Sequence, residues 1–212
     1  MDDRPPARSR SEITRERIVA AGHQAIRRGG IRRLSMEAVA RDAGVSRAAL
    51  YRYFPNKNAL VDAVLEHNAE VVYARMTTLF ADASTLADKV AIGARLGVLP
   101  HRDMLGLSES DPESFALLLT TGAHPFLQRT IDFWRPHVED AQRRGEVDSR
   151  IDPDQAAEWI ARSLFSLVSV PPLTFDAADP TAVEAYARTF VAGALSERVG
   201  GRTPRRAPTR TK

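Results

Sequence analysis

The chain has 212 residues, 43% of them hydrophobic, enough for one or two modest cores. It has no cysteine, which excludes disulfides and thiolate metal sites and fits a reducing compartment. No apolar run reaches the roughly 18–20 residues of a membrane span, and no apolar signal core follows the charged start. The expectation is a soluble, cytoplasmic protein with no membrane partner. The net charge of +3 conceals an uneven distribution: residues 1–60 hold thirteen Lys/Arg against six Asp/Glu, a balance of +7, and residues 61–197 a balance of −10. Residues 198–212 add six bases and no acid. A basic front joined to an acidic body points to a polyanion-binding module attached to a part with another task.

In chain order, residues 1–10 are polar and proline-rich and read as a flexible basic arm. Ser11 is the expected cap of a first helix carrying Ile18, Ala21 and Ala25 on one stripe, with Val19 and Ile26 beside it, ending at Gly29-Gly30. Ser35 caps a short second helix with Met36, Val39, Ala40 and Ala43 inward. Gly44 then turns the chain, since glycine enters the left-handed region without steric cost. Val45 plugs the gap between helices, and Ser46 caps a third helix running to Phe54. In that helix Ala49, Leu50 and Phe54 face inward, leaving Arg47, Ala48, Tyr51, Arg52 and Tyr53 outward. Two arginines and two tyrosines on one exposed face make a poor solvated surface and a good DNA surface.

Pro55-Asn56 breaks the chain, and Asn56 caps a long fourth helix carrying Leu60, Val64, Val71, Val72, Met76 and Leu79. Further on, Asp111-Pro112, Asp152-Pro153 and Asp179-Pro180 each set an N-cap acid before a proline at the first helical position. They predict helices over 112–121, 153–169 and 180–198. Asp152 and Gln155 have capping-box spacing. Another helix, 125–144, is expected to end at Gly145 and to bend at Pro136. Residues 201–212 read as a disordered basic tail. No period-2 alternation appears, so the expected fold is all-α, with about nine helices.

Residues 12–60 resemble the DNA-binding domain of the TetR family of bacterial transcription regulators. The resemblance rests on Gly30, Leu34, Ser35, Val39, Ala40, Ala43-Gly44-Val45-Ser46, Leu50-Tyr51, Tyr53-Phe54, Lys57 and Leu60. Ile26 stands where the family is usually aromatic and Ala48 where it often has glycine. In residues 80–212 the likeness rests on helix order and on the stretch from Arg144 to Ala157. The resemblance implies a helix-turn-helix DNA-binding domain over 11–56 and a helical ligand-binding and dimerisation domain over 57–200. It implies a ligand-released repressor that binds a palindromic operator in double-stranded DNA as a homodimer.

The DNA-contacting candidates are Ser35, Ser46, Arg47, Ala48, Ala49, Tyr51, Arg52, Tyr53 and Lys57. Arg47 can bond guanine N7 and O6 bidentately, or contact phosphate. Ala48 and Ala49 permit close approach to the groove; Ala49 can equally serve helix packing. Arg52 can reach a base or a phosphate. Tyr51 and Tyr53 resemble family positions that touch phosphate or thymine, and Lys57 the family's phosphate-binding lysine. Ser35 caps its helix and can offer N–H groups to phosphate.

Behind them, Met104, Phe115, Leu119, Phe133, Trp134, His137 and Trp159 are candidates for lining a pocket for a largely apolar effector, or for ordinary core. By family analogy the last two helices dimerise, through Trp159, Ser163, Leu167, Tyr186, Phe190 and Ala194. These residues also fit an internal core stripe. No helical His pair stands at i,i+4, and no metal or cofactor is expected. G-x-S-x-G, P-loop and HExxH motifs are absent, so no enzyme is expected. The alternatives left open are a nonspecific chromosome-associated DNA-binding protein and a ligand-responsive activator of the same fold.

Overall fold

The computed structural model describes residues 9–98, 111–120, 122, 124–170 and 172–196, and these are helical with no strand among them. Most of the basic arm, all of the basic tail, and Met104 lie outside the described residues. The helices are α1 (Arg10–Gly29), α2 (Met36–Asp42), α3 (Arg47–Tyr53), α4 (Lys57–Phe80), α5 (Leu86–Val98), α6 (Pro112–Leu119), α7 (His124–Arg143), α8 (Pro153–Ser169) and α9 (Pro180–Tyr186). The last continues without a break into a π-helical stretch, Ala187–Ala192, and a single 3₁₀ turn, Gly193–Leu195.

Most boundaries follow from local chemistry. The side chains of Ser35, Ser46 and Asn56 each accept a hydrogen bond from the backbone N–H three residues on, satisfying a donor that the first helical turn leaves free. Asp111, Asp152 and Asp179 cap α6, α8 and α9, each followed by proline. The first cap departs from the sequence expectation. Ser9, not Ser11, caps α1: its hydroxyl accepts from the Glu12 N–H while the Ser9 N–H donates to the Glu12 carboxylate. This reciprocal pair outcompetes Ser11, which has no acid three residues on. Helix α7 runs through Pro136, which supplies no N–H to the carbonyl one turn earlier.

Two clusters of buried residues organise the molecule. The first gathers Ile18, Val19 and Ile26 of α1, Met36, Val39 and Ala40 of α2, Leu50 and Phe54 around α3, and Leu60, Val61, Ala63, Val64 and Leu65 of α4. The second joins Met76 and Phe80 at the far end of α4 to Leu86 and Val90 of α5, Trp134 and Val138 of α7, Ile160 of α8, and Val183, Val191 and Leu195 at the C-terminal end. Helix α4 therefore belongs to both cores. Val71, expected inward, is 55% exposed. Over its full length the helix shows almost no single apolar face, so sequence alone does not mark the buried one.

The turn after α1 depends on Gly30. Its φ of 77° lies in the left-handed region, and a Cβ there would stand 2.4 Å from the Asp111 Cβ. Gly44, at φ 65°, makes the α2–α3 turn. There the Arg17 guanidinium donates to the Ala43 carbonyl at 2.5 Å, tying α1 to the turn.

Candidate nucleic-acid interface

A seven-residue helix is too short to be stable alone, so α3 is placed by what it buries. Leu50 is fully buried and Phe54 nearly so, and their anchoring leaves the opposite side of α3 outward. Arg47, Ala48 and Arg52 are exposed there, while Ala49, Tyr51 and Tyr53 are half-buried. Both tyrosine rings pack against the first core. Their rings are thus held while the face beside them carries the cations. The Arg47 guanidinium stands 5.6 Å from the centre of the Tyr51 ring, and that of Arg52 5.5 Å from the Tyr53 ring. Each arginine rests on a π face that restricts where it points.

Two partners in this surface were not read from the sequence. Glu37 of α2 lies 3.2 Å from the Arg47 guanidinium and also accepts from the Ser35 hydroxyl. Its own backbone N–H, then Ser35, then Arg47 hold the Glu37 carboxyl below its ordinary range. The pair is 69% and 56% exposed, so screening leaves it weak and Arg47 remains available to a ligand. Ser11, which does not cap α1, instead stands 3.2 Å from the Tyr53 hydroxyl. Chiefly through this bond the Tyr53 phenol titrates below its usual value. The signal for Glu37 was an acid in the first turn of a helix in a basic domain. Ser11 gave no local signal, because its partner lies 42 residues away.

Lys57, at the first position of α4, donates to the Arg32 carbonyl at 2.9 Å, which fixes its ammonium group beside the three helices. The hydroxyls of Ser35 and Ser46 are both occupied as caps, by the Ala38 and Ala49 N–H groups.

In the body, Phe133, Trp134 and His137 of α7 meet Phe80, with ring centres 5.0–5.8 Å apart in the Phe80 pairs and Tyr73 stacked on Phe133 at 4.7 Å. Trp134 is fully buried and its indole N–H has no acceptor among the described residues. Burial, reinforced by Lys89, holds the His137 imidazole below its ordinary pKa. Phe115 and Leu119 lie on α6, with side chains outside the described part. Trp159 does not join this cluster: from α8 its indole donates to the Val191 carbonyl at 3.0 Å. A cleft of about 230 Å³ opens between α4 and α7, lined by Glu66, Ala69, Glu70, Tyr73, Arg129 and Asp132, with none of the expected pocket residues in it.

On the outer side of α8 and the C-terminal helix, Trp159 is 45% and Phe190 61% exposed. Tyr186 packs on Phe190 with ring centres 5.0 Å apart. Ala194 is exposed and Ser163 half-buried beside them, while Leu167 is turned into the body core.

The front of the molecule is thus a helix-turn-helix domain with a cation-bearing outer helix, joined to a body that is helical among the described residues. A family model described as "Bacterial regulatory proteins, tetR family" matches residues 18–64, within this domain. The nucleoid occlusion factor SlmA of Haemophilus influenzae is 42% identical over 48 residues, 23% of this chain and 22% of that protein. SlmA of Photorhabdus laumondii is 29% identical over 99 residues, 46% of each. The chain thus spans about a fifth to under a half of the length of these relatives. Among solved structures, the TetR-family repressor AlkX from Dietzia sp. aligns with a TM-score of 0.64 at 23% identity, over 85% of this chain and 94% of that one. FadR from Bacillus subtilis, solved with stearoyl-CoA, aligns with a TM-score of 0.61 at 18% identity, over 82% of this chain and 97% of that one. At under 25% identity these likenesses show the fold alone. No helix among the described residues is long and apolar enough to cross a membrane.

Proposed function

We propose that this protein is a sequence-specific transcription regulator of the cytoplasm, a repressor that binds a palindromic operator as a homodimer and is released by a largely apolar effector. The observation that carries the reading is the outer face of α3, capped by Ser46 and bearing Arg47, Tyr51, Arg52 and Tyr53, with Lys57 beside it. One such helix reads too few base pairs for a specific site. A two-fold dimer sets two of them in successive major grooves, roughly 34–36 Å apart. Footprinting on the DNA upstream of the chain's own coding region is expected to show a protected palindrome with half-sites about 10–10.5 base pairs apart. Even protection along the duplex would overturn sequence-specific binding.

That second outcome belongs to a chromosome-associated DNA-binding protein, a reading favoured by the nucleoid occlusion factors among the relatives. The family-model match, residues 18–64, lies in the DNA-binding domain, which both readings share. The effector is placed in the body, near Phe133, Trp134 and His137, where a buried indole N–H without an acceptor suits a ligand with one polar atom on an apolar frame. The solved neighbour FadR holds stearoyl-CoA, which carries a long apolar chain. Release then follows if the effector favours an arrangement of the two recognition helices that no longer matches the groove spacing.

Lys57→Ala is expected to weaken binding equally on all duplexes and to lower the salt slope of log K by about one; an unchanged slope would remove Lys57 from the contact set. The dimer is placed on the face of Trp159, Tyr186, Phe190 and Ala194, since exposed aromatics beside small residues suit a close helix pair. Phe190→Asp is expected to raise the dimer dissociation constant about tenfold or more in sedimentation. An unaltered association would move the interface elsewhere.

A further inference from the structure

A buried acid of the body bonds the backbone of the DNA-binding domain. Asp111, N-cap of α6, is 5% exposed. One of its oxygens accepts from the Ser114 N–H at 3.3 Å and caps the helix. The other accepts from the Arg32 backbone N–H at 2.9 Å, across 79 residues of chain. The Arg32 guanidinium also pairs with Glu113, in the same first turn of α6. On the far side of the same residue, the Arg32 carbonyl accepts the Lys57 ammonium at 2.9 Å. Gly30 packs directly on Asp111, too close for any side chain to stand between them.

Arg32 is therefore gripped at its N–H by the body and at its carbonyl by the lysine. Burial disfavours a charged carboxylate at Asp111, but its bonds to Arg32 and Ser114 outweigh that and hold the acid below its ordinary pKa. A buried acceptor of this kind fixes the backbone it bonds, because a buried N–H left without a partner is destabilising.

We propose that Asp111 is a positioning residue for DNA binding: by fixing the Arg32 backbone it sets the carbonyl that holds Lys57 in place to contact a phosphate. The proposal rests on the DNA-binding reading above. Lys57 has three N–H donors, and the bond to Arg32 occupies one while leaving two for a phosphate oxygen. A lysine released from that carbonyl loses its fixed place and the side-chain entropy cost of ordering it falls on binding.

The test measures the salt dependence of binding to a fluorescently labelled random-sequence duplex, on which phosphate contacts supply the affinity. Asp111→Ser keeps a good N-cap for α6 but its shorter side chain withdraws the acceptor from Arg32. It is expected to lower the salt slope by about one, as Lys57→Ala does. Asp111→Asn has one carboxamide oxygen and one NH2 group; with the oxygen kept at the Ser114 cap, an NH2 donor faces the Arg32 N–H, and the slope is expected to fall as in Asp111→Ser. In Asp111→Ser combined with Lys57→Ala the slope is expected to fall no further than in either alone. Circular dichroism melts of each variant separate lost folding from lost positioning, and Asp111→Asn against wild type carries the comparison if Asp111→Ser does not fold: a wild-type slope in that variant would overturn the proposal. A wild-type slope in folded Asp111→Ser, or additive losses in the double variant, would overturn the role of Asp111 and leave the DNA-binding reading intact. A wild-type slope in Lys57→Ala would overturn both the lysine's phosphate contact and the role of Asp111.

Discussion

Leu50→Ala is expected to destabilise the front domain by about 2–5 kcal/mol and to abolish DNA binding without removing a contacting group. Leu50 is fully buried, and with Phe54 it is what α3 offers to the shared core of Ile18, Val39 and Leu60. A helix of seven residues has no stability of its own to fall back on. Truncation leaves a cavity below the outward face, and the cations above it lose their common orientation. Thermal melting followed by circular dichroism, with binding measured well below the midpoint, checks both halves. A folded Leu50→Ala protein that still binds at wild-type strength would show that α3 is held by something other than this side chain.

Arg47→Ala is expected to cost about 1–3 kcal/mol on the operator, roughly a 5- to 150-fold loss, and to relax preference at one base step. The resting partners of Arg47 are weak ones: an exposed carboxylate at 3.2 Å and the Tyr51 ring. Neither holds the guanidinium firmly enough to oppose a bidentate bond to guanine. Competition binding against operators changed one base pair at a time distinguishes the roles. Equal weakening across all of them would make Arg47 a phosphate contact.

The caps were legible because capping is local: Ser35, Ser46, Asn56, Asp111, Asp152 and Asp179 all bond within three residues of themselves. The same rule, applied with care, marks Ser9, since Glu12 stands three residues on. The inward face of α3 was legible because the spacing of Leu50 and Phe54 gives one stripe. Val71 was not, because an apolar segment that serves two cores presents no single stripe. Nor were the bonds that join distant parts of the chain. Arg32 to Asp111, Ser11 to Tyr53 and Trp159 to Val191 each depend on how whole helices pack, and side chains of the same type elsewhere in the chain look identical as letters. The π-helical stretch after Tyr186 follows an ordinary apolar pattern, with Val183, Ala187, Val191 and Leu195 buried at regular spacing. Its change of winding left no mark in that pattern.

Helix α4 spans 24 residues, a rod of about 36 Å. One end is seated among α1–α3 and the other among the aromatic side chains of α7. A tilt of about 5° about either seat carries the opposite end through about 3 Å. That is close to the rise of one base pair along a duplex, about 3.4 Å. In a two-fold pair the displacement counts twice, so an angular change too small to break either core is enough to put two recognition helices out of step with the groove.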